Sequence, residues 1–362
     1  MTANPTGNPT GFEPVFCTIV PPHIQDRITR ASDSSIAAKA RKSLERDSFE
    51  RTHRRLTTVL GAPALAPPAE AAAQQKPHRT IYDTRHTTQL PGRKVRGEGD
   101  KPGKDATVNR AYAGLGATFE LYLEKFSRYS IDGNGLPLNA TVHYDQDYNN
   151  AFWNGEQMVF GDGDGEIFLD FTIPVDVIGH ELTHGVTQYT ANLTYFGQPG
   201  ALNESVSDVF GSLIKQYTLG QTAAEADWLI GAGLLAPRVT GVALRSMKAP
   251  GTAYDDDVLG KDPQPADMAH FVKTGRDNGG VHINSGIPNH AFYILAESLG
   301  GHAWERAGQI WYDTLTGGEL KPDCLFADFA KATLKAAKDR YQAGEEYQAV
   351  LKAWEQVGVP TA

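Results

Sequence analysis

Apolar positions change their spacing along this chain, and the changes mark its parts. Phe16 to Ile24 (Phe-Cys-Thr-Ile-Val-Pro-Pro-His-Ile) is an apolar segment stiffened at Pro21-Pro22, which predicts extended chain. From Asp26 to Leu60 the apolar residues recur at helical spacing among Ala, Lys, Arg and Glu. Arg79–Asp83, Thr141–Tyr144 and Gln157–Phe160 are short runs of β-branched and aromatic character and predict strands. Asp105 to Arg128 carries Tyr112, Leu115, Phe119, Leu121, Tyr122 and Phe126 on an amphipathic helical pattern, and from about Val177 helical spacing dominates. Strands first and helices afterwards predict an α+β fold with two lobes, one mixed α/β and one mainly helical. The expected boundaries are an N-terminal segment over 1–60, a linker over 61–78, a first lobe over 79–190 and a helical lobe over 191–362.

Composition and charge narrow the class. At 362 residues and 40% hydrophobic content the chain is long enough for two or three units with sizeable cores. The net charge of −9, without a basic cluster, argues against nucleic acid as a partner. No apolar run reaches the roughly 18 residues of a membrane span. Residues 1–60 hold nine basic against six acidic side chains, so the remainder carries −12. That asymmetry fits an N-terminal segment docked on an acidic body, and it fits a solvated charged helix equally well. Residues 1–11 read as disordered. Gly61 to Lys76, rich in Pro and Ala, reads as a linker open to proteolysis. Cys17 and Cys324 are too few for a disulfide framework. Met1 to Gly11 lacks the pattern of a Sec-type signal peptide, so the expectation is secretion by a non-classical route, with a cytoplasmic home left open.

The chemistry concentrates at His180-Glu181-Leu182-Thr183-His184 and, twenty residues on, Asn203-Glu204-Ser205-Val206-Ser207-Asp208. Helical residues four apart project about 40° apart, so both imidazoles face one way. Two imidazoles and one carboxylate fill three corners of a zinc tetrahedron and leave the fourth for water. Glu204 is the natural third ligand, and Glu181 stays free to take a proton from water. Asp208, one turn beyond Glu204, can accept the other ring N–H of a ligand histidine. Ile173 to Ile178, apolar but for Pro174 and Asp176, carries this helix into a core, where the histidines need partners. The spacing points to a zinc hydrolase.

A second stretch, Asp277-Asn278-Gly279-Gly280-Val281-His282, lets two glycines turn a loop sharply and bring His282 to a substrate. Peptide hydrolysis develops an oxyanion that an extra donor stabilises. His282 fits that role, with Asp277 favouring its charged form. Tyr195 is another candidate donor, with a core position as its alternative.

His180–His184, Asn203–Asp208, Asn150–Trp153 and Asp277–His282 together resemble the thermolysin-like (M4) metallopeptidases, over the chain from about Arg79 onward. The ligand set of two histidines and one glutamate is that of thermolysin itself. The resemblance implies one catalytic zinc on His180, His184 and Glu204, with Glu181 as general base. It implies Tyr195 and His282 as oxyanion donors, Asp277 orienting His282 and Asp208 orienting His180. Asn150 and the Ala151 backbone would bind the substrate main chain, and Arg245 a carbonyl on the leaving-group side. Phe168, Phe171, Val177, Ile230 and Leu244 would line an apolar pocket that prefers a bulky hydrophobic residue after the scissile bond. The short N-terminal segment with Pro21-Pro22-His23-Ile24 resembles the protealysin-like subgroup, in which it would act as an inhibitory prosegment. Proline lacks the N–H of a productive register and costs little entropy to hold. Cys17 has two readings, a buried inert residue or a thiolate on the fourth zinc position.

The chain departs from thermolysin at its double calcium site. It keeps Asp176 and Asp227 but has Lys215, Leu229, Ala232 and Gly233, and Val242 replaces an acid of a further calcium site. The expectation is that the Lys215 ammonium bridges Asp176 and Asp227 and that calcium matters little. The partners implied are protein or peptide substrates and the chain's own prosegment, on a monomer. The reading is a latent zinc endopeptidase. Its competitors are a zinc-stabilised binding or adhesion protein that keeps its prosegment, and a hydrolase of small esters or amides.

Overall fold

The computed structural model describes residues 17–60 and 75–361. The expected disorder of 1–11 and the linker through residue 74 lie outside the described residues. Helix α1 (Pro22–Ile28) corrects the expectation of extended chain to Ile24. Pro21 is extended (φ −61°, ψ 147°), but Pro22 sits at the first helical position, where its missing N–H is no loss. Ile24 and Gln25 then donate back to the Pro21 carbonyl at 3.0 and 3.3 Å. The predicted helix from Asp26 is really two. Asp33 Oδ1 accepts from the backbone of Ser35 and Ile36 at 2.8 and 3.3 Å and starts α2 (Ser34–Leu60) afresh.

Five strands form the first lobe's sheet: β1 (Arg79–Asp83), β2 (Arg93–Gly97), β3 (Leu138–Val142), β4 (Ala151–Trp153) and β5 (Met158–Phe160), in the order β2-β1-β3-β5-β4. The central pairs β1–β3 and β3–β5 are parallel, and the outer pairs are antiparallel. The strand expected through Tyr144 ends at Val142, because His143 turns into the left-handed region at φ 53°. Helix α3 (Ala106–Phe126) packs on the sheet, begun by Asp105, whose carboxylate accepts from Thr107 and Val108.

Helices α4 (Val175–Gln188) and α5 (Gly197–Leu219) lie between the lobes and cross at glycines. A Cβ on Gly211 would stand 2.6 Å from the Asp176 carbonyl oxygen, and one on Gly179 would stand 2.5 Å from Ile214 Cδ1. That close approach sets Glu204 opposite the two histidines of α4. A short ribbon, β6 (Leu229–Ile230) with β7 (Arg245–Ser246), follows. Helices α6 (Asp277–Asn284), α7 (Gly286–Leu299), α8 (Ala307–Thr316), α9 (Phe326–Tyr341) and α10 (Glu345–Gln356) complete the second lobe. Trp311 and Trp354 stack 5.8 Å apart in its core, and Trp354 donates to Thr333. Among the described residues, no helix is long and apolar enough to cross a membrane.

Candidate metal centre

Helix α4 is buried around its whole middle, so His180 and His184 need partners on both ring nitrogens. Each Nδ1 has one: Asp208 Oδ1 for His180 and Asn203 Oδ1 for His184, both at 2.8 Å. The Asn203 amide is oriented by its own donation to the Leu193 carbonyl at 3.1 Å. With the protons held on Nδ1, each Nε2 presents a lone pair, and the two Nε2 atoms stand 3.1 Å apart. Glu204 adds Oε2 at 3.5 Å from His180 Nε2 and Oε1 at 3.5 Å from His184 Nε2, and Oε2 has no hydrogen-bond partner. Burial holds His184 neutral, with its pKa lowered to about 3, as a metal ligand requires. Converging lone pairs in a dry site call for a cation. Two nitrogens on a tetrahedral zinc are roughly 3.3 Å apart, given Zn–N of about 2.0 Å, so the donor set fits that metal.

The residues expected around this point are present. Glu181 sits one position along α4, its Oε2 accepting from the Trp153 backbone N–H at 3.2 Å. Asp277, Asn278, Gly279 and Gly280 all take positive φ, and that tight turn delivers His282 from α6. Asp277 accepts from the His282 ring at 2.6 Å and from its backbone N–H at 3.0 Å. Burial lowers the His282 pKa, but Asp277 and Glu204 outweigh it and the net shift is upward. The Tyr195 hydroxyl lies 3.2 Å from His282 Nε2 and donates to Glu204 Oε1, which places it in the site and not in a separate core. Arg245 forks onto Asp208, and Asn289 donates to the same carboxylate at 2.8 Å.

The N-terminal segment fills the cleft. Thr18 bridges Phe152 on edge strand β4 in antiparallel fashion, and Ile19 N–H donates to the Ala151 carbonyl at 3.2 Å. Val20 N–H donates to Asn150 Oδ1 at 3.0 Å, and Arg245 reaches the Ile19 carbonyl at 3.3 Å. The Cys17 sulfur reaches this same donor set, 2.9 Å from Glu204 Oε1. Burial, then the Glu204 and Glu181 charges, push its thiol pKa up. Pro21 and Ile24 are buried, and burial lowers the His23 pKa to about 4. Further along the segment, Glu50 accepts from Tyr144 at 2.5 Å, and Asp47 accepts from Tyr148 and, at 2.9 Å, from Asn150. Lys42 and Arg46 pair with Asp145 at 2.7 and 3.6 Å, which favours the docked reading of the charge asymmetry over the solvated one.

Phe168, Phe171, Val177, Ile230 and Leu244 are all buried in one core, with Ile230 and Arg245 paired across the β6–β7 ribbon. Lys215 Nζ lies 2.9 Å from Asp176 and 2.7 Å from Asp227, and donates to the Leu229 carbonyl at 2.6 Å. Reading the chain alone missed Asn203, Asn289 and Asp47. Asn203 stood in the motif without a role, and nothing local sets Asp47 apart from other acids of its helix.

Residues 70–188 match the family model described as thermolysin metallopeptidase, catalytic domain, and residues 191–359 match its alpha-helical domain. The chain is 51% identical over 344 residues to an extracellular metalloprotease of Pectobacterium carotovorum subsp. carotovorum, covering 95% of this chain and 96% of that one. It is 55% identical over 284 residues to protease PrtS of Photorhabdus sp. (strain Az29), covering 78% and 76%. A solved structure, the precursor of protealysin, a metalloproteinase from Serratia proteamaculans, superposes with TM-score 0.85 at 51% identity, covering 95% of this chain and all of that one. The Pectobacterium protein's name points to secretion and corrects the expectation that left a cytoplasmic home open.

Proposed function

The chain belongs to the thermolysin family of metallopeptidases and is a zinc endopeptidase made as a precursor, and from that premise we propose which of its residues do the work. His180, His184 and Glu204 hold the zinc. When bound, the metal supplies Lewis acidity toward the scissile carbonyl and acidifies water. Glu181 accepts the proton of the attacking water and passes it to the leaving amine. Its backbone partner Trp153 keeps the carboxylate aimed along α4. Tyr195 and His282 donate to the developing oxyanion, His282 as an imidazolium held by Asp277. Asp208 keeps the His180 tautomer, and Arg245, anchored on Asp208, binds a substrate carbonyl. Asn150 and Ala151 bind the substrate main chain along the edge of β4. Phe168, Phe171, Val177, Ile230 and Leu244 form the apolar surface that prefers a bulky hydrophobic residue after the scissile bond.

Residues 1–60 are the prosegment, 61–78 the linker that maturation cuts, 79–190 the first catalytic lobe and 191–362 the helical lobe. Pro21, Pro22, His23 and Ile24 hold the prosegment in the cleft, and Lys215 replaces calcium between Asp176 and Asp227. The observation that carries the reading is the convergence of three lone-pair donors beside Glu181 in a buried site. A time course of casein hydrolysis by the full-length chain, with N-terminal sequencing and with or without 1,10-phenanthroline, tests it. Activity that appears after a lag, together with loss of the prosegment, and that dies with the chelator is the expected result. A zinc-loaded chain that stays inactive after an added protease has cleaved its linker would favour the binding-protein reading.

A further inference from the structure

Cys17 is one of only two cysteines, and the fold carries it across the cleft to the metal centre. Its Sγ, His180 and His184 ring nitrogens and a Glu204 oxygen all lie within 4.8 Å of one another, and all four residues are buried. The sulfur is also 2.9 Å from the Tyr195 hydroxyl and 3.6 Å from His282 Nε2. Those are the two donors assigned above to the reaction's oxyanion, so the sulfur stands where negative charge is expected to develop. A second observation points the same way: Glu204 Oε2 is buried without a hydrogen-bond partner and faces the same space. The backbone of Thr18–Val20, pinned by Ala151, Asn150 and Arg245, leaves the sulfur little freedom to be elsewhere.

We propose that Cys17 is a removable fourth zinc ligand, which holds the precursor latent by taking the coordination position that the attacking water needs. This rests on the zinc site proposed above. A coordinating thiol is deprotonated. Cys17 S–H gives its proton to solvent as the zinc–sulfur bond forms, and no electron moves. Tyr195 and His282 donate to the thiolate as they would to the oxyanion. On maturation the bond breaks, the sulfur regains a proton, and water takes the vacated position. Latency then has two components, main-chain pairing on β4 and one metal–sulfur bond.

X-ray absorption of the zinc-loaded full-length chain tests this, in a Glu181→Gln background that keeps the prosegment attached. One sulfur at about 2.3 Å from zinc is expected. It should vanish in Cys17→Ser, with Cys324 still present as the internal control. Cobalt substitution gives an independent reading, a thiolate charge-transfer band in the precursor that Cys17→Ser loses. Zinc bound at one equivalent with only nitrogen and oxygen neighbours overturns the assignment of Cys17 and leaves the site itself standing. Failure to bind zinc at all overturns the site. The scattering measurement on the Glu181→Gln chain decides without relying on the folding of Cys17→Ser.

Discussion

Arg245 grips Asp208 with two parallel donors, Nε to Oδ2 and Nη2 to Oδ1, both at 2.8 Å. The same Oδ1 takes the Nδ1 proton of His180, so one buried carboxylate joins a guanidinium to a proposed metal ligand. Asp208→Asn should lower zinc affinity by about 10- to 100-fold. It should also destabilise the fold by about 3 kcal/mol, because Arg245 loses its buried counter-charge. A chelator-competition titration reads the first effect and a melting curve the second. Unchanged zinc affinity in a folded variant would remove Asp208 from its orienting role.

Glu181→Gln preserves the shape of the side chain and an oxygen able to accept from Trp153 N–H. What it removes is the base. Turnover should fall by at least ~10²- to 10⁴-fold, the usual worth of a positioned acid–base group, while zinc content and melting stay those of the parent. Near-parental activity on a peptide substrate would reassign the proton transfer to another residue.

Local signals carried the ligand spacing and the turn, but not what brings distant segments together. His180 and His184 are one helical turn apart, and Gly279-Gly280 announce a left-handed bend, so both were legible. Strand β4 is three residues long and β2 has a single apolar residue, so neither stood out, although β4 is the edge on which the prosegment lies. A proline pair signals extended chain, whereas the fixed φ of Pro22 equally suits the helix start it takes. The Cys17–Glu204 contact spans 187 residues and has no local pattern at all.

The crossing of α4 on α5 should be intolerant of any side chain at Gly211. A Cβ there would lie 2.6 Å from the Asp176 carbonyl oxygen and 3.2 Å from His180 N, and neither can yield without moving α4. Gly211→Ala should destabilise by roughly 1–3 kcal/mol, offset only slightly by its better helix propensity, and should weaken zinc binding as Glu204 retreats from the histidines. Full stability with parental zinc affinity would mean that the crossing is looser than these distances.

Lys215 pairs with two carboxylates, Asp176 and Asp227. Asp176 is fully buried and its Oδ2 has the ammonium at 2.9 Å. Lys215→Ala should cost about 3 kcal/mol, the usual result of stranding one partner of a buried pair. In the parent chain, added calcium should leave the melting temperature unchanged. A calcium-dependent rise of several degrees in the parent would show that the ammonium does not stand in for the ion.

Prosegment docking should respond to pH through two opposed groups. Burial lifts the Asp47 carboxyl to about 7 despite the Tyr148 and Asn150 hydrogen bonds, against ~3.9 when free. The docked state therefore holds that proton more tightly, and its contribution is full below the free value and lost as pH rises through 7. Burial lowers His23 to about 4, against ~6.5 when free. Its contribution is present above 6.5 and lost as pH falls toward 4. Between about 4 and 6.5 the two oppose each other, and above that window only Asp47 still acts, so docking should weaken toward pH 8. Melting of the prosegment unit in the Glu181→Gln precursor reads this directly. Asp47→Asn should abolish the alkaline loss and reveal a rise from pH 4 to 6.5, whereas His23→Gln should give a steady decline from 4 to 7. An alkaline loss that persists unchanged in Asp47→Asn would assign the proton to another group.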